Sequence, residues 1–227
     1  MSLYLYAVLG GRPGRPAGRG LRGERLRFLP VKGGLIVAAG PMQVAPAPSA
    51  AALRRHDATV RRLAKTVDAI LPVRFGTLVP DDAELARLLA ARVAELREAL
   101  ALVAGREQMT LRVYGAGRAI VPAAPGPRIP GQPGTRYLVA RLRARRRARA
   151  VPEIAPLRPA LRGLVRAERV EPHAEPPLLA SLYHLVDRGQ ARAYRAAVAA
   201  GARRLEGIRI RSSGPWAPYA FGPEALE

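Results

Sequence analysis

The chain has 227 residues, 49% of them hydrophobic, enough to bury one large core or two modest ones and to exclude wholesale disorder. It contains no cysteine, which excludes disulfide staples, thiolate metal sites and a cysteine nucleophile; His56, His173 and His184 are too scattered to suggest a zinc site. With 38 basic and 17 acidic residues the net charge is +21, which calls for an anionic partner such as nucleic acid, an acidic protein or a charged surface, although the Ala/Arg/Gly/Pro bias of a GC-rich genome gives the same composition.

Leu3 to Leu9 (LYLYAVL) reads as a first strand, buried on both faces. Its apolar run lacks a basic flank and is too short for a secretory leader, and nothing approaches the ~20 apolar residues of a membrane span, so a reducing, cytoplasmic setting is expected. Gly10 to Gly23 is a Gly/Arg/Pro loop. Within it, Gly18, Gly20 and Gly23 have dinucleotide-fingerprint spacing, but no strand directly precedes them, a strand rather than a helix follows, and no acid lies near Gln43. The fingerprint is rejected. Arg25 to Pro30 and Leu35 to Ala39 form a hairpin across Lys32-Gly33-Gly34. After a linker-like Pro41 to Pro48, Ser49 caps a helix whose stripe is Leu53, Val60, Leu63, Val67 and Ile70. His56 falls on the same stripe and reads as a core histidine.

Ile70 to Leu85 (ILPVRFGTLVPDDAEL) reads as a central strand clasped by helices, with Leu71, Val73, Phe75, Leu78 and Val79 as its apolar residues. Pro72 belongs at a strand start or edge, and Gly76 marks a bulge or a close backbone approach. Arg74, the one charge in the run, is expected inside the fold, bonded to carbonyls or carboxylates at the strand–helix junction. Asp81 and Glu84 supply a capping-box-like start to a single helix from Asp82 to Ala104, closed by Gly105. Gln108 to Tyr114 is a strand. The order β–β–β–α–β–α–β predicts an α+β domain over residues 1–114, with a mainly antiparallel sheet and helices on one side.

Residues 115–134, thick with Gly and Pro, read as an inter-domain linker. Residues 135–227 form the second domain. Thr135 opens a helix whose segment Arg141 to Arg149 carries six arginines, Arg145, Arg146 and Arg147 among them, spread over almost the whole wheel; such a helix is solvated or bound to something acidic. Pro152 and Pro156 break it, and Leu157 to Ala167 resumes as a second arm of a basic helical hairpin. Strands at Arg169 to His173 and Ala180 to Val186, a helix from Gln190 to Ala200 and an edge strand from Leu205 to Arg211 complete a ferredoxin-like α+β unit.

No nucleophile elbow, P-loop or zincin motif is present, and of five serines only Ser181 lies near a histidine and an acid, His184 and Asp187. His184 and Asp187 are an odd number apart on one predicted strand and point to opposite faces, so no triad forms. No catalytic residue, cofactor or metal is expected.

Two segments together resemble the gas vesicle protein GvpF/GvpL family. The first, ILPVRFGT, includes Leu71, Pro72, Arg74, Phe75 and Gly76; the second, SGPWAPYAF, includes Gly214, Pro215, Trp216, Pro218, Tyr219 and Phe221. His56 and the pair Tyr137-Leu138 also look like that pattern, and the resemblance covers essentially the whole chain. Ala217 departs from the paired prolines usual in the closing motif. Trp216, the only tryptophan, is expected as a structural plug across a sheet. The resemblance implies a cytoplasmic, vesicle-associated accessory factor, not an enzyme, that binds the hydrophobic shell protein and other accessory proteins during nucleation and assembly. These motif residues, with Tyr137, Leu138, Arg141, Arg145, Arg146 and Arg147, are then the partner-binding candidates. The alternative raised by the charge is a basic nucleic-acid-binding protein, against which stand the few aromatics near the basic runs and the absence of a recognised nucleic-acid motif.

Overall fold

A computed structural model describes residues 2–14, 18–116 and 151–223. The fold is α+β, with two sheets. The chain divides into two compact units. One comprises Met1–Gln108, Leu185–Arg188 and Pro215–Glu227, the other Met109–His184 and Gly189–Gly214. The terminal Gly-Pro-Trp segment is thus split: Gly214 counts with the second unit, and the chain from Pro215 onward belongs to the first rather than to the domain expected over 135–227.

The first unit is built around β1 (Leu3–Leu9), every residue of which is buried. A strand apolar at both alternating sets of positions needs cover on both faces and a neighbour on each side. β3 (Leu35–Pro41) pairs with it antiparallel on one side and β2 (Arg27–Val31) lies outside β3, as the hairpin pattern predicts. On the other side lie β4 (Ile70–Pro72) and β5 (Leu78–Val79), both antiparallel to β1. The expected central strand at Ile70 is therefore a broken edge strand, and β1 is the centre. Ala7 faces Pro72 while Tyr4 faces Leu78, so the connection holds three more residues than the register needs. The surplus is expelled as a bulge containing Arg74, Phe75 and Gly76, and Gly76 takes a φ of 94°.

α1 (Ala50–Ala64) starts where expected: the Ser49 hydroxyl accepts from the Ala52 amide at 3.1 Å. Its buried residues are His56, Thr59, Val60 and Leu63, whereas Leu53 is 47% exposed and not in the core. The helix expected over Asp82 to Ala104 is two helices, α2 (Asp82–Ala90) and α3 (Val93–Val103), separated at the non-helical Arg92. No glycine or proline marks that break. Tertiary packing imposes it, because α2 lies against β2 and β5 while α3 lies against β4. At the start of α2 the Asp81 carboxylate accepts from the Glu84 amide, but Glu84 turns away to pair with Arg87, so only half of the capping box forms. Arg27 reaches Asp82 at 2.6 Å, joining β2 to that helix start.

The second unit contains β6 (Arg106–Tyr114, from Met109 onward), β7 (Val165–Pro172), β8 (Leu178–Asp187, to His184) and β9 (Arg209–Trp216, to Gly214), ordered β7-β8-β6-β9. Its helices among the described residues are α4 (Arg158–Leu161), preceded by a 3-10 turn at Pro152–Leu157, and α5 (Ala191–Ala202). The second hairpin arm expected over Leu157 to Ala167 is only this short piece. Beyond Gly163 the run VRAERVEP is extended as β7, a longer strand than the one expected from Arg169. The last strand also runs later than expected, because Gly207 at a φ of 67° turns the chain first and the edge position of β9 tolerates Pro215. Residues 117–134 of the linker expected over 115–134, and the expected basic helix with Tyr137, Leu138, Arg141, Arg145, Arg146 and Arg147, lie outside the described residues.

In the β2–β3 turn Gly33 and Gly34 have φ of 86° and 75°. A Cβ on Gly33 would stand 2.3 Å from Val93 Cγ1, whereas one on Gly34 would meet nothing within 4 Å. Gly34→Ala should therefore cost only the backbone strain of about 1 kcal/mol, and Gly33→Ala about 2–3 kcal/mol, because α3 must also move. Urea unfolding of the two variants checks the order.

Candidate functional site

The first unit carries an open, largely apolar cleft of about 480 Å³. Leu53, His56 and Asp57 come from α1, Pro72, Arg74 and Phe75 from the end of β4 and its bulge, and Tyr219, Gly222 and Pro223 from the C-terminal segment. Residues from the two motif segments, far apart in sequence, meet at one surface.

A chain of hydrogen bonds fixes its floor. The Val73 carbonyl can only accept, so His56 carries its proton on Nε2 and donates across 3.2 Å. Burial lowers the His56 pKa and keeps the ring neutral, with the bond to Val73 opposing that shift. Nδ1 is then an acceptor, bonded to the Tyr4 hydroxyl at 3.0 Å, and that oxygen in turn accepts from the Gly76 amide at 3.1 Å. One histidine thus ties the central strand, α1 and the bulge together. Around it the rings are packed: Tyr6 stacks on His56 at 5.4 Å and Phe75 meets it edge-on at 5.7 Å. The Tyr6 hydroxyl donates to Glu24 and accepts from the Leu21 amide at 2.8 Å, pinning the early loop to the same cluster. Burial, and then the bond to Glu24, push the Tyr6 pKa upward.

The C-terminal segment is attached by a second chain. Arg61 lies 4.6 Å over the Trp216 ring and pairs with Asp57 at 2.7 Å. The Tyr219 hydroxyl donates to Asp57, and burial is the main cause of its raised pKa. Phe221 is buried and the Ala220 amide donates to Gln108 at 2.9 Å. Trp216 is therefore held by an arginine on α1, a different setting from the plug across a sheet expected for it. Ala217, in place of a proline, is buried in the core of this unit.

Arg74 departs from its expectation. Its side chain is exposed, and among the described residues its guanidinium has no hydrogen-bond or ion-pair partner. The bulge turns Phe75 inward against His56 and leaves Arg74 at the rim. Leu71 and Pro72 are buried β4 residues, and Gly214 and Pro215 lie in β9. Asp57, Tyr4 and the exposed Leu53 are site residues that the motif reading missed. Only the helical period around His56 hinted at the first, because Asp57 is its immediate neighbour.

Ser181, His184 and Asp187 do not assemble. Ser181 bonds His173 at 3.0 Å, while buried His184 donates from Nε2 to Glu168 at 2.9 Å and shares a 2.7 Å bond with the Tyr194 hydroxyl. The His184 bond is the leading cause of the lowered Glu168 pKa, and Arg158 adds to it from 3.1 Å. Asp187 faces Arg106 at 3.8 Å. Among the described residues no group of acids and histidines could hold a metal ion, and no helix is long and apolar enough to cross a membrane.

Two α+β units, with a motif-lined apolar cleft in the first, define the class of fold. The profile of the family described as gas vesicle synthesis protein GvpL/GvpF matches residues 2–223, and the chain belongs to that family. Its role is accordingly that of a gas vesicle accessory protein. The fold is similar to the crystal structure of gas vesicle protein GvpF from Anabaena sp. PCC7120, at 17% identity and a TM-score of 0.71, covering 98% of this chain and 96% of that one. It is equally similar to gas vesicle protein GvpF from Microcystis aeruginosa, at 16% identity and a TM-score of 0.71, covering 97% and 98%. No curated protein matches.

Two outcomes follow from this geometry. The folded-state pKa of His56 is depressed, so at pH below about 6.5 the unfolded chain binds a proton that the folded chain refuses; this part of the stability is present above that pH and lost as pH falls. His56→Phe should cost about 1–3 kcal/mol near neutral pH, by stranding the Val73 carbonyl, and should show a shallower loss of stability from about pH 6.5 to 5.5. Urea unfolding across that range measures both. Arg74→Ala, with no partner to lose, should change unfolding free energy by less than about 0.5 kcal/mol.

Proposed function

We propose that this accessory protein binds the hydrophobic shell protein, and other accessory proteins, in the cytoplasm, so as to assist nucleation and assembly of the gas vesicle. The carrying observation is the cleft: residues of both family motifs converge on an apolar surface whose rim carries Arg74, a cation without an ion-pair partner among the described residues. A subunit made for an air-facing wall exposes a large apolar surface before it assembles, and that surface aggregates unless another protein covers it. Leu53, Pro72, Phe75 and Tyr219 offer apolar contact to such a client, and the charge-bearing rim gives it an orientation. His56 and Asp57 support the surface from beneath, since both are committed to bonds within the fold. The vesicle-associated location follows from the same reading.

Leu53→Asp and Arg74→Glu place unfavourable groups at the rim without touching the core. Each should weaken capture of purified shell protein by about tenfold while leaving the thermal midpoint unchanged. Wild-type capture by both variants would remove the cleft from the reading. If the unaltered protein forms no complex and vesicles form normally in a deletion strain, the reading itself fails.

A further inference from the structure

We infer that the exposed face of the second unit's sheet, at Arg112, Tyr114, Arg209 and Arg211, is a docking surface for an acidic segment of a partner protein. Arg112 and Tyr114 are two residues apart on β6 and flank Val113, which is fully buried, so both project to the face opposite the core. β9 is the hydrogen-bonded neighbour of β6 and forms the sheet's edge. From it Arg209 and Arg211 reach the Tyr114 ring, with their guanidinium carbons 5.0 Å and 6.0 Å from its centroid. All three arginines are exposed.

What makes this cluster informative is that, among the described residues, its guanidiniums have no ion-pair partner, the nearby Glu171 being engaged by Tyr183. Elsewhere arginines have found acids: Arg27 with Asp82, Arg61 with Asp57, Arg87 with Glu84, Arg92 with Glu95 and Arg158 with Glu168. Among the described residues, no guanidinium of Arg112, Arg209 or Arg211 makes a side-chain hydrogen bond or ion pair, yet two of them share one ring. Like charges so close repel, and the tyrosine face only partly offsets that repulsion. Stacking also orders a guanidinium while leaving its N–H edge free, which suits forked bonding to a carboxylate. Three such edges along a sheet fit an extended segment with carboxylates at alternate positions.

The same details disfavour a single-stranded nucleic acid. Bases need an open aromatic face, and the Tyr114 ring is already engaged by two arginines. The neighbouring Tyr183 donates to Glu171 at 2.7 Å, which places a carboxylate where a continuous phosphate track would run. A peptide with spaced acids can step around that charge, but a uniformly charged backbone cannot.

The test is fluorescence anisotropy of a labelled oligoglutamate peptide titrated with the full chain at moderate salt. Saturable binding is expected, weakened about tenfold or more when Arg112, Arg209 and Arg211 are all replaced by Gln. Replacing Arg162, Arg192 and Arg204, exposed on the helix side of the unit, makes the same charge change and should leave affinity within about twofold. Tyr114→Phe should retain binding, while Tyr114→Leu should weaken it about threefold by releasing the stacked guanidiniums. If the triple variant does not fold, Arg209→Gln and Arg211→Gln singly, each expected to weaken binding about threefold, decide the matter. The inference is overturned by no binding, by equal loss in the two triple variants, or by tighter binding of an oligothymidylate of equal charge through the same three arginines.

Discussion

The first unit depends on one neutral histidine. His56 bonds a backbone carbonyl on one side and a tyrosine hydroxyl on the other, and the same hydroxyl receives an amide from the bulge. A protonated ring could not accept from Tyr4, so neutrality is a condition of the arrangement and burial enforces it. Through these bonds α1, β1 and the residues after β4 hold one geometry. The rings of Tyr6 and Phe75 close on the histidine, and the cleft lies over the result.

The bulge is what lets that core carry a surface. A regular strand from Ile70 to Val79 would have alternated its side chains and hydrogen-bonded along all of β1. Three surplus residues break the alternation: Phe75 enters the ring cluster and Arg74 reaches solvent. The terminal segment then comes to the same place because α1 offers it two handles, Arg61 for Trp216 and Asp57 for Tyr219. Charge on α1 thus serves attachment within the unit, whereas among the described residues the charge on Arg74 meets no counter-charge. The arginines of the second sheet face pose the same question, since there too the described residues supply positive groups without supplying their ion-pair partners.

Much of the framework is legible locally. The hairpin around Gly33-Gly34, the Ser49 cap, the buried strand LYLYAVL and the helix before Ala202 are short-range patterns, and each forms within a few residues of its expected position. Failures occur where neighbours distant in sequence decide. The helix run from Asp82 has an unbroken apolar stripe, yet its halves serve different strands and part at Arg92. Val165 to Ala167 reads as the end of a helix and Arg169 onward as a strand, and pairing with β8 makes the run from Val165 to Pro172 strand throughout. Leu53 has the helical period of a core residue but lies at the cleft mouth, 47% exposed.

The stretch from Ile70 to Leu85 shows the division most clearly. Its sequence by itself determined a β-prone run, a glycine that marks a bulge or a close backbone approach, and a capped helix start, because these depend on the conformational preferences of adjacent residues. It also carried enough of a motif, together with the Gly-Pro-Trp segment, to name the family. Only the tertiary structure decided that the run is a broken edge strand and that Arg74 faces solvent. Both follow from register against β1, and register is a property of two strands at once.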